Sequence, residues 1–96
     1  GEPVYIGENV SVMSGSVIES GSVIDNNAVV KGGKVNGYVG IGSVVSERCD
    51  INSAVVCRGA VLDSGVKCGE YSVIGEKAWA YGLEKLLKRA QGFMKT

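Results

Sequence analysis

The residues best suited to bind a ligand are three basic side chains in the second half of the chain, Arg48, Arg58 and Lys67. Guanidinium and ammonium groups bind phosphate and carboxylate groups well. These three are therefore the candidate ligand-binding residues, and a phosphorylated small molecule held between subunits is the candidate ligand. Acidic residues alternate with the basic ones, which favours the alternative that all these charges only keep the surface soluble.

Several catalytic arrangements are excluded because the 96 residues contain no histidine. Zinc–imidazole sites, Ser–His–Asp triads and imidazole general bases all require it. Cys49, Cys57 and Cys68 form no CxxC pair, and we predict that they are small buried side chains without a metal. We predict no catalytic residue, no metal and no cofactor. Whether the protein is an enzyme stays undecided, with the balance against it.

Charge and hydropathy limit the classes of partner. Ten basic residues balance ten acidic ones, so the net field attracts neither nucleic acid nor an anionic membrane. No apolar run reaches the roughly 20 residues of a membrane span, and no signal peptide opens the sequence. We therefore expect a cytoplasmic protein that binds neither nucleic acid nor membranes.

An aliphatic side chain, or Cys68 in its place, returns every six residues with two changes of phase. The positions are Ile6, Val12, Ile18, Ile24 and Val30, then Val39, Val45 and Ile51, then Val56, Leu62, Cys68 and Ile74. A small residue follows most of them four positions later: Val10, Ser16, Ser22, Ala28, Ser43, Cys49, Ala60, Val66 and Ser72. Just before this row lies a turn-prone one: Gly15, Gly21, Asn27, Gly33, Gly42, Gly59 and Gly65. This period suits a short strand and a tight corner, with three hexads in each triangular coil. We predict about four parallel β-coils over residues 1–75.

The series IGENVS, VMSGSV, IESGSV and IDNNAV resembles the hexapeptide-repeat, left-handed parallel β-helix family. That resemblance implies an all-β fold, left-handed coils and side-by-side packing as trimers. A shortened coil resembles the C-terminal β-helix of ADP-glucose pyrophosphorylases and related sugar-phosphate nucleotidyltransferases; its matching residues are Ile51, Asn52, Ser53, Val55, Val56, Arg58 and Gly59. In that family the domain follows a catalytic domain and mediates assembly and sometimes regulation.

The resemblance implies a non-catalytic oligomerisation or scaffold module, either free-standing or the C-terminal assembly domain of a nucleotidyltransferase. Two alternatives stay open. One is a small hexapeptide-repeat transferase, acting on an activated sugar or acyl donor at subunit grooves. The other is a regulatory module that binds a phosphorylated metabolite there.

Two apolar features indicate a partner surface. From Glu76 onward apolar residues follow helical spacing, and we predict a C-terminal α-helix over residues 76–96 that docks on the β-helix or on a neighbouring subunit. The aliphatic residues that recur every six positions are expected to form an interior ladder. A second apolar row lies outside this ladder: Val17, Val23, Val29, Val35, Val44, Val61 and Val73. Exposed rows of this kind mark interfaces. We predict a homotrimer with this row near the threefold axis.

Overall fold

The computed structural model describes residues 3–81, and all their regular structure is β-strand. The strands are β1 (Tyr5–Ile6), β2 (Ser11–Val12), β3 (Val17–Ile18), β4 (Val23–Ile24), β5 (Val29–Val30), β6 (Lys34–Val39), β7 (Val44–Val45), β8 (Asp50–Val56), β9 (Val61–Leu62), β10 (Lys67–Cys68), β11 (Val73–Ile74) and β12 (Trp79–Ala80). Every strand pair is parallel.

Stacking of these strands produces three faces. Face 1 contains β1, β4, the second half of β6, the second half of β8, and β11. Face 2 contains β2, β5, β7, β9 and β12. Face 3 contains β3, the first half of β6, the first half of β8, and β10. The protein is therefore an all-β parallel solenoid of about four coils, as the six-residue period predicts.

The hydrophobic core is the ladder of inward side chains, one from each strand passage. In the central coils these are fully buried: Ile24, Val30, Val35, Val39, Val45, Ile51, Val56 and Leu62. Cys68 continues the ladder and is buried. Val35 was expected in the outer row but lies inside, because its Cα partners are the inward residues Ile18 and Ile51. Of the other predicted positions, Ile18 and Ile74 are partly buried against this core, whereas Ile6 and Val12, in the first coil, are 45% and 44% exposed.

Polar members of the small-residue row tie neighbouring coils together. The buried Ser22 hydroxyl donates to the carbonyl of Val35 at 3.2 Å and accepts the backbone N–H of Gly37 at 3.1 Å. Ser43, also buried, donates to the carbonyl of Cys57 at 2.7 Å. A buried hydroxyl without a partner is costly, so this row satisfies backbone groups as well as filling space.

Each corner of the described coils has one residue with positive φ, where the chain turns between faces. Six of the seven predicted turn positions behave this way: Gly15, Gly21, Asn27, Gly42, Gly59 and Gly65. The exception is Gly33, because its corner is one residue shorter and Gly32 takes the positive φ of 114° instead. Gly33 is buried, and an added Cβ would lie 3.1 Å from the carbonyl oxygens of Ser46 and Cys49.

The two phase changes of the repeat lie next to face 3. On face 1, Cα partners in successive coils are 18, 15, 17 and 18 residues apart. The two shorter coils arise because segments 31–33, 36–37 and 52–54 have fewer residues than the four of the other corners. Consequently β6 and β8 each continue from face 3 onto face 1 as one strand. Gly37 permits this bend, since a Cβ there would collide with the carbonyl oxygen of Ala54.

The solenoid continues past residue 75. Residues 76–81 lie in the predicted helix, but they form a corner, with Lys77 at φ 58°, and then strand β12. Trp79 and Ala80 pair with Val61 and Leu62 on face 2. The remainder of the predicted helix, residues 82–96, lies outside the described residues. Among the described residues there is no helix of the length and hydropathy needed to cross a membrane.

Candidate functional site

Two of the three predicted ligand-binding residues lie on neighbouring coils on one side of the solenoid. Arg48 is exposed at the corner between faces 2 and 3, with φ 61°. Lys67 is exposed on face 3, and its Cα partner Asp50 lies two residues after Arg48. Arg58 lies at a different corner, between faces 1 and 2. Within one chain Arg58 therefore lies apart from Arg48 and Lys67, and the predicted site between subunits stays a prediction.

Arg58 already has an acidic partner. Its Nη2 donates to Oε1 of Glu76, one coil further along, at 2.9 Å. This hydrogen bond raises the pKa of Arg58 and lowers the pKa of Glu76. Both side chains are exposed, so the pair adds little stability. The neighbouring carboxylate also makes Arg58 a poor site for an anionic ligand.

Face 3 is a charged surface. Its outward positions are Val17, Lys34, Asp50 and Lys67, stacked in register. The Nζ atom of Lys34 lies 3.6 Å from Oε1 of Glu19. Alternating charges of this kind are typical of a solvated surface. Arg48 and Lys67 lie on the same side of one chain, and ligand binding there stays a prediction.

A tyrosine–carboxylate pair lies on the side of face 1 next to face 2. The hydroxyl of Tyr38 donates to Oδ2 of Asp25 at 2.6 Å, and Oδ1 of Asp25 accepts the N–H of Asn26 at 2.7 Å. The bond to Tyr38 is the main cause that lowers the pKa of Asp25, and it raises the pKa of Tyr38. The sequence alone did not identify this pair. Its only signal in the sequence was the shortened coil. That coil pairs Val23 with Tyr38 and Ile24 with Val39, so Tyr38 lies one coil away from the strand that Asp25 follows.

The cysteines divide into two kinds. Cys49 and Cys68 are buried, and burial is the main cause that raises the pKa of each thiol. The Cys49 thiol donates to the carbonyl of Asp63 at 3.1 Å. Both therefore act as small core residues, as predicted. Cys57 differs, because it is only half-buried at a corner. Within residues 3–81 no group of three or more Cys, Asp or Glu side chains is placed to hold a metal ion.

The most extensive surface feature is a pair of uncharged outward ladders. Face 1 presents Tyr5, Val23, Tyr38, Val55 and Val73. Face 2 presents Ser11, Val29, Val44, Val61 and Trp79. Several are well exposed: Tyr5 60%, Val55 40%, Val73 64% and Trp79 63%. The predicted valine row is thus not a single row but is divided mainly between these two faces, with Val17 on face 3.

Comparison with known proteins gives no relative. No protein-family model matches the sequence, and no curated protein or solved structure matches it significantly. The candidate site therefore depends on the geometry of this chain alone.

Proposed function

We propose that this chain is a non-catalytic assembly module that packs against copies of itself through faces 1 and 2. One observation carries the proposal. Faces 1 and 2 each present a ladder of five uncharged and largely apolar outward residues, whereas face 3 carries Lys34, Asp50 and Lys67. Contiguous apolar patches on a soluble protein mark interaction surfaces, and interface cores are depleted of charge.

The finer assignment rests on the sequence resemblance. It consists of left-handed coils of the hexapeptide-repeat type and assembly as a homotrimer. It also includes a place as the C-terminal assembly domain of a sugar-phosphate nucleotidyltransferase. The interior ladder supports the hexapeptide-repeat assignment, since most of its members lie six residues apart. The shortened coil supports the nucleotidyltransferase assignment, since it contains the residues from Ile51 to Gly59 that carry that resemblance.

Light scattering on the 96-residue chain tests the assembly. We expect a multiple of the single-chain mass of 10.0 kDa at micromolar concentration. Val55→Glu places a charge on face 1 and should reduce the mass to that of one chain. The matched control Val17→Glu makes the same change on face 3 and should keep the wild-type mass. A wild-type chain that has the single-chain mass would contradict the proposal.

A second candidate function is favoured by the position of Arg48 and Lys67 on neighbouring coils at one side of the solenoid. This is the binding of a phosphorylated small molecule between subunits, and calorimetric titration with sugar phosphates tests it. Loss of the heat signal in Lys67→Ala would support binding there, whereas no signal with the wild-type chain would exclude it for those ligands.

A further inference from the structure

We infer that the Asn36–Gly37 pair is a site of asparagine deamidation, and that the fold suppresses this reaction until the coil opens. It is the one asparagine–glycine pair among the five asparagines of the chain. Glycine has no Cβ, so its backbone nitrogen is the least hindered in attacking the side-chain amide of the preceding residue. The inference concerns a chemical modification and is independent of the proposed assembly function.

The reaction needs only water and a base such as hydroxide. The base removes the proton from the backbone nitrogen of Gly37. That nitrogen forms a bond to Cγ of Asn36, and the side-chain nitrogen leaves as ammonia, which gives a five-membered succinimide. Water then cleaves one of the two carbonyl–nitrogen bonds of the ring. Cleavage at Cγ leaves aspartate, and cleavage at the main-chain carbonyl leaves isoaspartate. No oxidant or reductant takes part.

The structure holds the attacking nitrogen in a buried hydrogen bond. Asn36 and Gly37 lie in β6, at the point where its register with β8 shifts. The N–H of Gly37 donates to Oγ of Ser22 in the preceding coil at 3.1 Å, and this hydroxyl donates in turn to the carbonyl of Val35. The Ser22 side chain is fully buried. Removal of the Gly37 proton therefore requires this contact between coils to open.

The strand pairing resists both ring closure and the product. Closure needs a change of backbone torsion between Asn36 and Gly37, whereas Asn36 is held in register with Asn52, and Gly37 with Ala54. Isoaspartate adds one atom to the backbone. There is no space for it, since even a Cβ on Gly37 would collide with the carbonyl oxygen of Ala54. A coil that opens and is modified to isoaspartate should therefore not recover the pairing of β6 with β8.

Incubation of the 96-residue chain at mildly alkaline pH, in buffer and in guanidinium chloride, tests the inference. Peptide mass spectrometry detects deamidated Asn36, and chromatography separates the aspartate and isoaspartate products. In guanidinium chloride Asn36 should react faster than Asn52, which precedes a serine. In buffer Asn36 should react at least about tenfold more slowly, because only opened molecules react. Equal rates of Asn36 in the two solutions would overturn the protection. A rate no higher than that of Asn52 in guanidinium chloride would overturn the site.

Ser22→Ala tests the hydrogen bond itself. Without the hydroxyl, Asn36 should deamidate at least about fivefold faster in buffer than in the wild type. Ser43→Ala is the matched control, since Ser43 is equally buried and its hydroxyl donates instead to the carbonyl of Cys57. Guanidinium chloride added to the more stable variant brings both to the same unfolding free energy. Equal rates in the two variants would then overturn the role of Ser22. If Ser22→Ala does not fold, the wild-type comparison still decides whether the fold protects Asn36.

Discussion

At the scale of single residues, the solenoid creates contacts between positions that are distant in sequence. Tyr38 and Asp25 are 13 residues apart, yet their oxygens are 2.6 Å apart because the intervening coil is short. The phenol is an outward residue of face 1, and the carboxylate follows strand β4. A hydrogen bond to the ionised carboxylate favours its charged form. The pair therefore links the stability of this corner to pH.

Replacing Tyr38 by Phe should raise the pKa of Asp25 toward its usual range. In the wild type the lowered pKa of Asp25 stabilises the fold at pH values above the pKa that Asp25 has in the unfolded chain. That stabilisation disappears as pH falls through the pKa of the folded state. The unfolding free energies of wild type and Tyr38→Phe should therefore differ most near neutral pH and converge in acid. Carbon NMR titration of Asp25 and urea melts at both pH values measure this.

Tyr5→Phe is the control, since it removes a hydroxyl from the same face in another rung and should leave the pKa of Asp25 unchanged. An identical Asp25 titration in the wild type and in Tyr38→Phe would show that the hydrogen bond does not form in solution.

At the scale of elements, the corners between faces determine which residues are permitted. Gly40 and Gly75 hold the same position, the first residue of the corner between faces 1 and 2. A Cβ on Gly40 would lie 2.7 Å from the backbone nitrogen of Arg58 and 2.8 Å from the carbonyl oxygen of Val56. Among residues 3–81, a Cβ on Gly75 would meet nothing within 4 Å. Neither glycine has a positive φ, so only space distinguishes them.

Gly40→Ala should destabilise the fold by about 3 kcal/mol, because backbone atoms of the next coil must move to admit the methyl group. Gly75→Ala should change the unfolding free energy by less than about 0.5 kcal/mol. Chemical denaturation of the two variants beside the wild type measures both. Equal stability of the two variants would mean that the coils are less closely stacked at Gly40 than described here.

Much of the element scale could be predicted from the sequence, since the six-residue period fixes which aliphatic residues point inward. At two places the sequence fits two alternative local structures equally well. Gly32 and Gly33 both suit a positive φ, and only the shortened corner selects Gly32. Trp79 fits both a helical pattern with Leu83 and the hexad pattern six residues after Val73. In the structure it lies in strand β12 of the solenoid. The Tyr38–Asp25 contact and the separation of Arg58 from Lys67 depend on coil length and face, which a linear pattern does not specify.

At the scale of the whole molecule, the solenoid has two uncharged faces and one charged face. A single chain leaves Val73 and Trp79 more than half exposed, and burying such apolar area is the main driving force for association. The outward residues of faces 1 and 2 are six residues apart in every described coil, whereas the segments on either side of face 3 differ in length. Self-assembly through faces 1 and 2 is therefore the central claim about this molecule.

The most direct test uses Trp79, because it is the only tryptophan in the chain and lies on face 2. In the proposed assembly a neighbouring copy should cover it, so wild-type emission should be shifted to shorter wavelength than that of Val55→Glu. The substitution lies on face 1, so within one chain it does not alter the face that carries Trp79. Val17→Glu, on face 3, should give the wild-type spectrum. Identical spectra for the wild type and Val55→Glu would contradict self-assembly through faces 1 and 2.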